Sequence, residues 1–225
     1  MYSLIVLIIL FLYIYYIQYD KGDYDKIFLN DLVNSNYLKT GDIITFKAYN
    51  NFNSVIMGNY YSHIGIIYID PDDEKKTPLL FEANGVEKMY LMKHHNKNGI
   101  FLSPVKERIE KYKGRAFYKR LNDEIDDEKI KDFKHFIDYC LENMSYDYNL
   151  LQSALKKKTN IEKCGKLTNC GELVFLSLIK LGLFSMKEYN VPCFHYLKWV
   201  SNIKELPNGN SYNDQLEIVD HSFKY

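Results

Sequence analysis

SHIGIIYIDPDDEKKTPLLFEANG, residues 62–85, holds the two segments on which the fold turns. HIGIIYI (63–69) is a nearly continuous β-branched apolar run and reads as a buried strand. DPDDEKKTP (70–78) is charged, with a proline near each end, as a hairpin connection requires. LLFEANG (79–85) returns as a second apolar strand ending at Gly85. Upstream, LKTGD (38–42) reads as a turn into the strand IITF (43–46), so three strands stand at hairpin spacing and predict an antiparallel sheet. GIFLSPVKERIEKY (99–112) and GRAFYKRL (114–121) supply further strands around a short helix.

The period then changes. DDEKIKDFKHFIDYCLEN (126–143) places Ile130, Phe133, Phe136, Ile137 and Cys140 near helical spacing behind an acidic start, which predicts an amphipathic helix. CGELVFLSLIKLGLF (170–184) predicts a buried helix ending near Gly182, while YDKIFLNDLVNSNYL (24–38) reads as weakly helical and SYDYNLLQSAL (145–155) as the opening of another helix. Strands come first and helices later, an α+β order. At 225 residues the chain is sized for one core.

Lysine plus arginine and aspartate plus glutamate both number 29, so no basic field for nucleic acid exists. The four cysteines, at 140, 164, 170 and 193, form no CxxC pair and read as reduced rather than as a disulfide scaffold. A metal set from Cys164, Cys170, Cys193 and His195 lacks the compact spacing of a zinc site, and no metal or other cofactor is expected. The first 19 residues, MYSLIVLIILFLYIYYIQY, carry no charge and no cleavage site. They read as a retained membrane anchor of marginal length, with a buried helix as the alternative, ahead of one domain over 20–225. That reading makes the protein membrane-associated; its oligomeric state is not indicated.

Three residues could carry chemistry together. Cys170 follows Thr168 and Asn169, either of which can cap a helix, so it occupies a first turn whose free N–H groups and dipole favour a thiolate. Glu172, in the same turn, opposes this with a negative charge, and packing is the competing explanation for a lone cysteine there. His63 opens a strand; alone it reads equally as structural. Glu82 lies in an apolar strand, where a carboxylate needs a partner or a solvated face. If its strand adjoins HIGIIYI, it can accept a proton from His63 and fix the imidazole.

In order, GDIITF, YYSHIGIIYI, LLFEANG, SYDYN and TNCGELVFLSLIKLGL resemble the permuted branch of the NlpC-type papain-like superfamily. That branch includes YiiX-like bacterial proteins, poxvirus proteins and, more distantly, the lecithin retinol acyltransferase family. The resemblance spans residues 38–182, thinly between the motifs, and departs in the glycine after Cys170, where many relatives have serine. It implies a circularly permuted papain-like fold with a small antiparallel sheet packed on the helix of Cys170. It also implies a triad of Cys170 as nucleophile, His63 as general base and acid, and Glu82 as orienting residue. The expected activity is that of a thiol hydrolase acting through an acyl-enzyme on peptide-like bonds, with lipid acyl transfer or ester cleavage as the alternative. An inactive binding or virion-structural module, membrane-tethered, is the non-enzymatic reading. Tyr61, Ser62 and Tyr146 are candidate substrate contacts, with Tyr60 and Tyr148 as further cleft residues.

Overall fold

The computed structural model describes residues 2–18, 24–35, 37–48, 60–85, 99–147, 167–184 and 200–220. In chain order its elements are α1 (Tyr2–Gln18), β1 (Lys26–Phe28), α2 (Leu29–Asn34), β2 (Ile43–Ala48), β3 (His63–Ile69), β4 (Pro78–Ala83) and β5 (Ile100–Pro104). There follow α3 (Val105–Glu110), β6 (Gly114–Lys119), α4 (Asp127–Asn143), β7 (Ser145–Tyr146), β8 (Leu167–Thr168), α5 (Cys170–Lys180) and β9 (Leu216–Val219). Seven strands form one sheet in the order β1-β9-β6-β2-β3-β4-β5, antiparallel except for the pairing of β1 with β9. The fold is α+β, and the hairpin predicted from residues 62–85 is present as β3 and β4, with Gly65 opposite Glu82 and Ile67 opposite Leu80.

Alternation along the strands divides the core between the two faces of the sheet. Ile43, Ile64, Ile66, Phe81 and Ala83 pack with Phe133, Phe136 and Ile137 of α4 and with Leu173, Val174 and Leu176 of α5. Ile44, Phe46, Ile67, Leu80 and Tyr118 pack on the opposite face with Leu29, Leu32 and Val105. Helix α5 is buried on every side from Cys170 to Leu178, which explains why its sequence is apolar without an amphipathic stripe. Asn169 caps it, the side-chain Oδ1 accepting from Glu172 N at 3.0 Å.

Two segments differ from the sequence reading. Residues 24–38 contain a strand before the expected helix, because Lys26–Phe28 find a partner in β9, almost the whole chain away. Ser145–Tyr146, expected to start a helix, pair in parallel with Leu167–Thr168. The N-terminal expectation is corrected as well. Helix α1 has 17 residues, about 25 Å at 1.5 Å per residue against a hydrocarbon core of about 30 Å. Among the described residues no helix is long and apolar enough to cross a membrane. A membrane anchor, and the membrane partner and location that depended on it, are therefore not supported.

The turn before β2 is held by Asp42, which is fully buried. Its carboxylate accepts from Tyr118 OH at 2.7 Å, Leu121 N at 2.8 Å and Lys39 N at 2.9 Å, tying the start of β2 to the end of β6. Gly41 enters this turn at φ +96°, a left-handed conformation suited to glycine, and its carbonyl accepts from Tyr212 OH at 2.9 Å. Burial pushes Asp42 up to about 6, against the hydrogen bonds from Tyr118, Leu121 and Lys39 that favour the anion. The folded chain thus holds this proton more tightly than the unfolded chain does, so Asp42 makes stability fall as pH rises from about 4 to 6. Asp42→Ala is expected to lower the unfolding free energy by about 2–3 kcal/mol. Asp42→Asn should cost less and remove this part of the pH dependence, both measured by urea unfolding across that range.

Candidate functional site

His63 is the first residue of β3 and lies opposite Phe46 of β2, with ring centroids 5.6 Å apart. Two residues on, Gly65 faces Glu82 of β4, so His63 and Glu82 are diagonal neighbours on one face of the hairpin. The glycine is required by packing: a Cβ there would stand 2.8 Å from Leu80 Cγ. His63 Nε2 donates to Glu82 Oε2 at 2.5 Å. The other carboxylate oxygen, Oε1, accepts from Arg108 Nε at 2.5 Å.

Arg108 comes from α3, directly after β5. Its guanidinium lies over the ring of Phe46 at 4.8 Å and that of Tyr112 at 5.4 Å, both distances to the ring centroid. Side-chain exposure is 12% for His63, 3% for Glu82 and 2% for Arg108, so three ionisable groups meet where little water reaches. Burial alone would push the Glu82 carboxyl up. Arg108 and then His63 overcome that and hold it at about 2. Burial disfavours the His63 imidazolium too, but hydrogen bonds to Cys170 and Glu82, with their negative charge, raise it to about 9.

Cys170, the N-terminal residue of α5, is that second partner of His63. Because Nε2 is engaged with Glu82, Nδ1 is the ring nitrogen left for the thiol. Cys170 belongs to the core on the helical face of the sheet, whereas Phe46 belongs to the opposite face; His63, at the start of β3, interacts with each. The cysteine's helix, the histidine's strand and the glutamate's strand thus meet in a cluster of Cys170, His63 and Glu82. Arg108 extends it by a fourth member that sequence reading missed. One signal was present: in VKERIE, Arg108 sits three residues after Val105, on the apolar stripe of α3, and both are buried.

The candidate substrate contacts are less coherent. Tyr61 is buried, stacks edge-on against Phe117 and donates to Gln215 Oε1 at 2.6 Å. Ser62 Oγ donates to Phe46 O at 3.1 Å and accepts from Ala48 N at 3.0 Å, which joins the loop before β3 to β2. Both are engaged in holding the sheet. Tyr146 lies against Gly85 and Gly99, where any added Cβ would meet its ring, beside the end of β4. Tyr60 packs with Tyr61 and under Lys47. Tyr148, Cys164, Cys193 and His195 lie outside the described residues. Cys140 is buried in the core, as its place on the apolar stripe of α4 predicts. Among the described residues no three His, Cys, Asp or Glu side chains are grouped to hold a metal ion.

No family model matches the chain, and no curated protein matches it. Among solved structures, it is similar to the metalloprotein yiiX from Escherichia coli O157:H7, with 18% identity and a TM-score of 0.41. The match covers 62% of this chain and 64% of that one, so the chain spans less than two thirds of the length of the protein it resembles. The likeness is to a YiiX protein at the level of an α+β chain and says nothing of individual residues or activity. Nothing in these comparisons points to a virus, and the viral setting is dropped.

Since Glu82 raises His63, Glu82→Gln is expected to lower the imidazole midpoint from about 9 by at least about one pH unit, followed by NMR titration of His63. The stabilising contribution of this raised group is complete below about 6.5 and is lost as pH rises through about 9. The stability gap between wild type and Glu82→Gln should accordingly narrow across that interval.

Proposed function

We propose that the protein is a thiol hydrolase of the circularly permuted papain-like kind, cleaving amide bonds through an acyl-enzyme. The observation that carries this reading is the hydrogen bond of His63 to the buried Glu82, with Cys170 interacting with the same imidazole from the first turn of α5. The chain order supports the permuted assignment, since the strands of His63 and Glu82 precede the helix of Cys170.

The thiol proton passes to His63 Nδ1, and Cys170 Sγ attacks the acyl carbon to form an S–C bond. The carbonyl oxygen takes the negative charge. Asn169 already occupies the Glu172 amide with its side chain and the Leu173 amide with its carbonyl, at 3.0 and 2.9 Å. The first-turn donors left for the oxyanion are therefore the amides of Cys170 and Gly171. As the tetrahedral adduct collapses, the C–N bond breaks and Nδ1 returns its proton to the departing amine. Water, deprotonated by the same nitrogen, then attacks the thioester; the S–C bond breaks and the free acid leaves. Glu82 remains ionised throughout and holds the ring in position.

An amine leaves poorly unless it is protonated, and His63 Nδ1 hands it the former thiol proton as the adduct collapses. The reading is tested by alkylation with iodoacetamide, followed by mass spectrometry across pH. Cys170 should react with a midpoint well below the value of about 8.5 of a free thiol. His63→Ala should abolish that advantage and Cys170→Ser should remove the adduct. A folded protein in which Cys170 is inert, or reacts equally well without His63, would exclude the hydrolase.

A further inference from the structure

Arg108 is buried on a six-residue helix outside the three groups that handle the proton, and its contact with the site is through Glu82. Charge counting shows what it does there. With a neutral thiol and neutral imidazole, the cluster holds one anion, Glu82, and one cation, Arg108. Once the proton has moved from Cys170 to His63, the signs alternate along the chain as thiolate, imidazolium, carboxylate and guanidinium. The sum is zero in both states, so proton transfer separates charge without loading a net charge into a site that water barely reaches.

Remove the guanidinium and the balance changes. Glu82, with no other cation beside it among the described residues, captures His63 as a fixed imidazolium–carboxylate pair, and the thiol stays neutral in the company of a neutral pair. Ionising Cys170 then leaves one uncompensated negative charge in the cluster. Glu172 is buried in the same first turn of α5 as Cys170. Tyr112, just after α3, is a further polar neighbour: its ring lies by the Arg108 guanidinium and its hydroxyl meets Ser62 Oγ at 3.2 Å.

We infer that Arg108 is a positioning residue whose positive charge, delivered through Glu82, allows the Cys170–His63 pair to exist as thiolate and imidazolium. The inference rests on the hydrolase reading of Cys170, His63 and Glu82 and adds a fourth, distant member. It predicts an effect that a purely structural arginine would not have: a change in the pH at which a thiol on another element ionises.

The experiment is the pH profile of Cys170 alkylation by iodoacetamide in the full chain, with circular dichroism to establish folding. Arg108→Met is expected to slow alkylation at neutral pH by about tenfold and raise the midpoint by about one pH unit. Arg108→Gln keeps a donor for Glu82 Oε1 without the charge; it tolerates the site better and should show the same shift. Arg108→Lys retains the charge without the planar fork and should stay within about threefold of wild type. In a Glu82→Gln background, Arg108→Met should add much less than it does alone, because the effect runs through the carboxylate. A folded Met or Gln variant with the wild-type midpoint overturns the inference while leaving the hydrolase reading intact, and so does a Lys variant shifted as far as the neutral ones. A wild-type Cys170 with no His63-dependent ionisation removes the hydrolase reading itself and the role of Arg108 with it.

Discussion

A carboxylate inside an apolar sheet is the constraint around which this molecule is arranged. Glu82 lies on the inner face of a hairpin strand with 3% of its side chain exposed, where an isolated anion would cost several kcal/mol. It stays charged because cations reach it from two directions, His63 along the neighbouring strand and Arg108 from the helix that follows β5. This demand also fixes the strand register. A slip by one residue would turn Glu82 into the aromatic layer of Phe133 and Phe136 and bring Phe81 to the polar side.

Asp42 gives the contrast. It is as deeply buried, and it accepts three hydrogen bonds, but Tyr118, Leu121 and Lys39 offer it a neutral hydroxyl and two backbone amides. The two buried acids consequently move in opposite directions, Asp42 up to about 6 and Glu82 down to about 2. One ties strand ends together and tolerates a proton. The other is held as an anion beside an imidazole, which is the condition for polarising that ring. Partner charge, rather than burial, separates the structural acid from the site acid.

Much of this could be read in the residues. HIGIIYI and LLFEANG announce a hairpin through β-branching and a charged connection, and a hairpin is a local object whose partners lie close in sequence. The helix of Cys170 could likewise be read from its cap and its unbroken apolar run. What escaped depends on distant partners. KIF is too short and too polar to register as a strand without β9, and Arg108 reads as an ordinary basic residue until Glu82 stands beside it. The apolar N-terminal run misled for a different reason: hydropathy measures what a helix avoids, whereas spanning is decided by length, and 17 residues fall short.

The parallel pairing of Lys26–Phe28 with Glu217–Val219 has a consequence for how the molecule is made. Strand β9 is wedged between β1 and β6, so the ribosome must deliver residue 219 before β1 is paired and before β6 gains its second neighbour beside β2. Until then the chain carries β6 with one row of amides and carbonyls unpaired beside Phe117 and Tyr118, an open template for a second nascent chain. The hairpin of His63 and Glu82 can close early, from nearby residues. Synthesis therefore completes the strands and helix that carry the site before β9 arrives to give β6 its second neighbour.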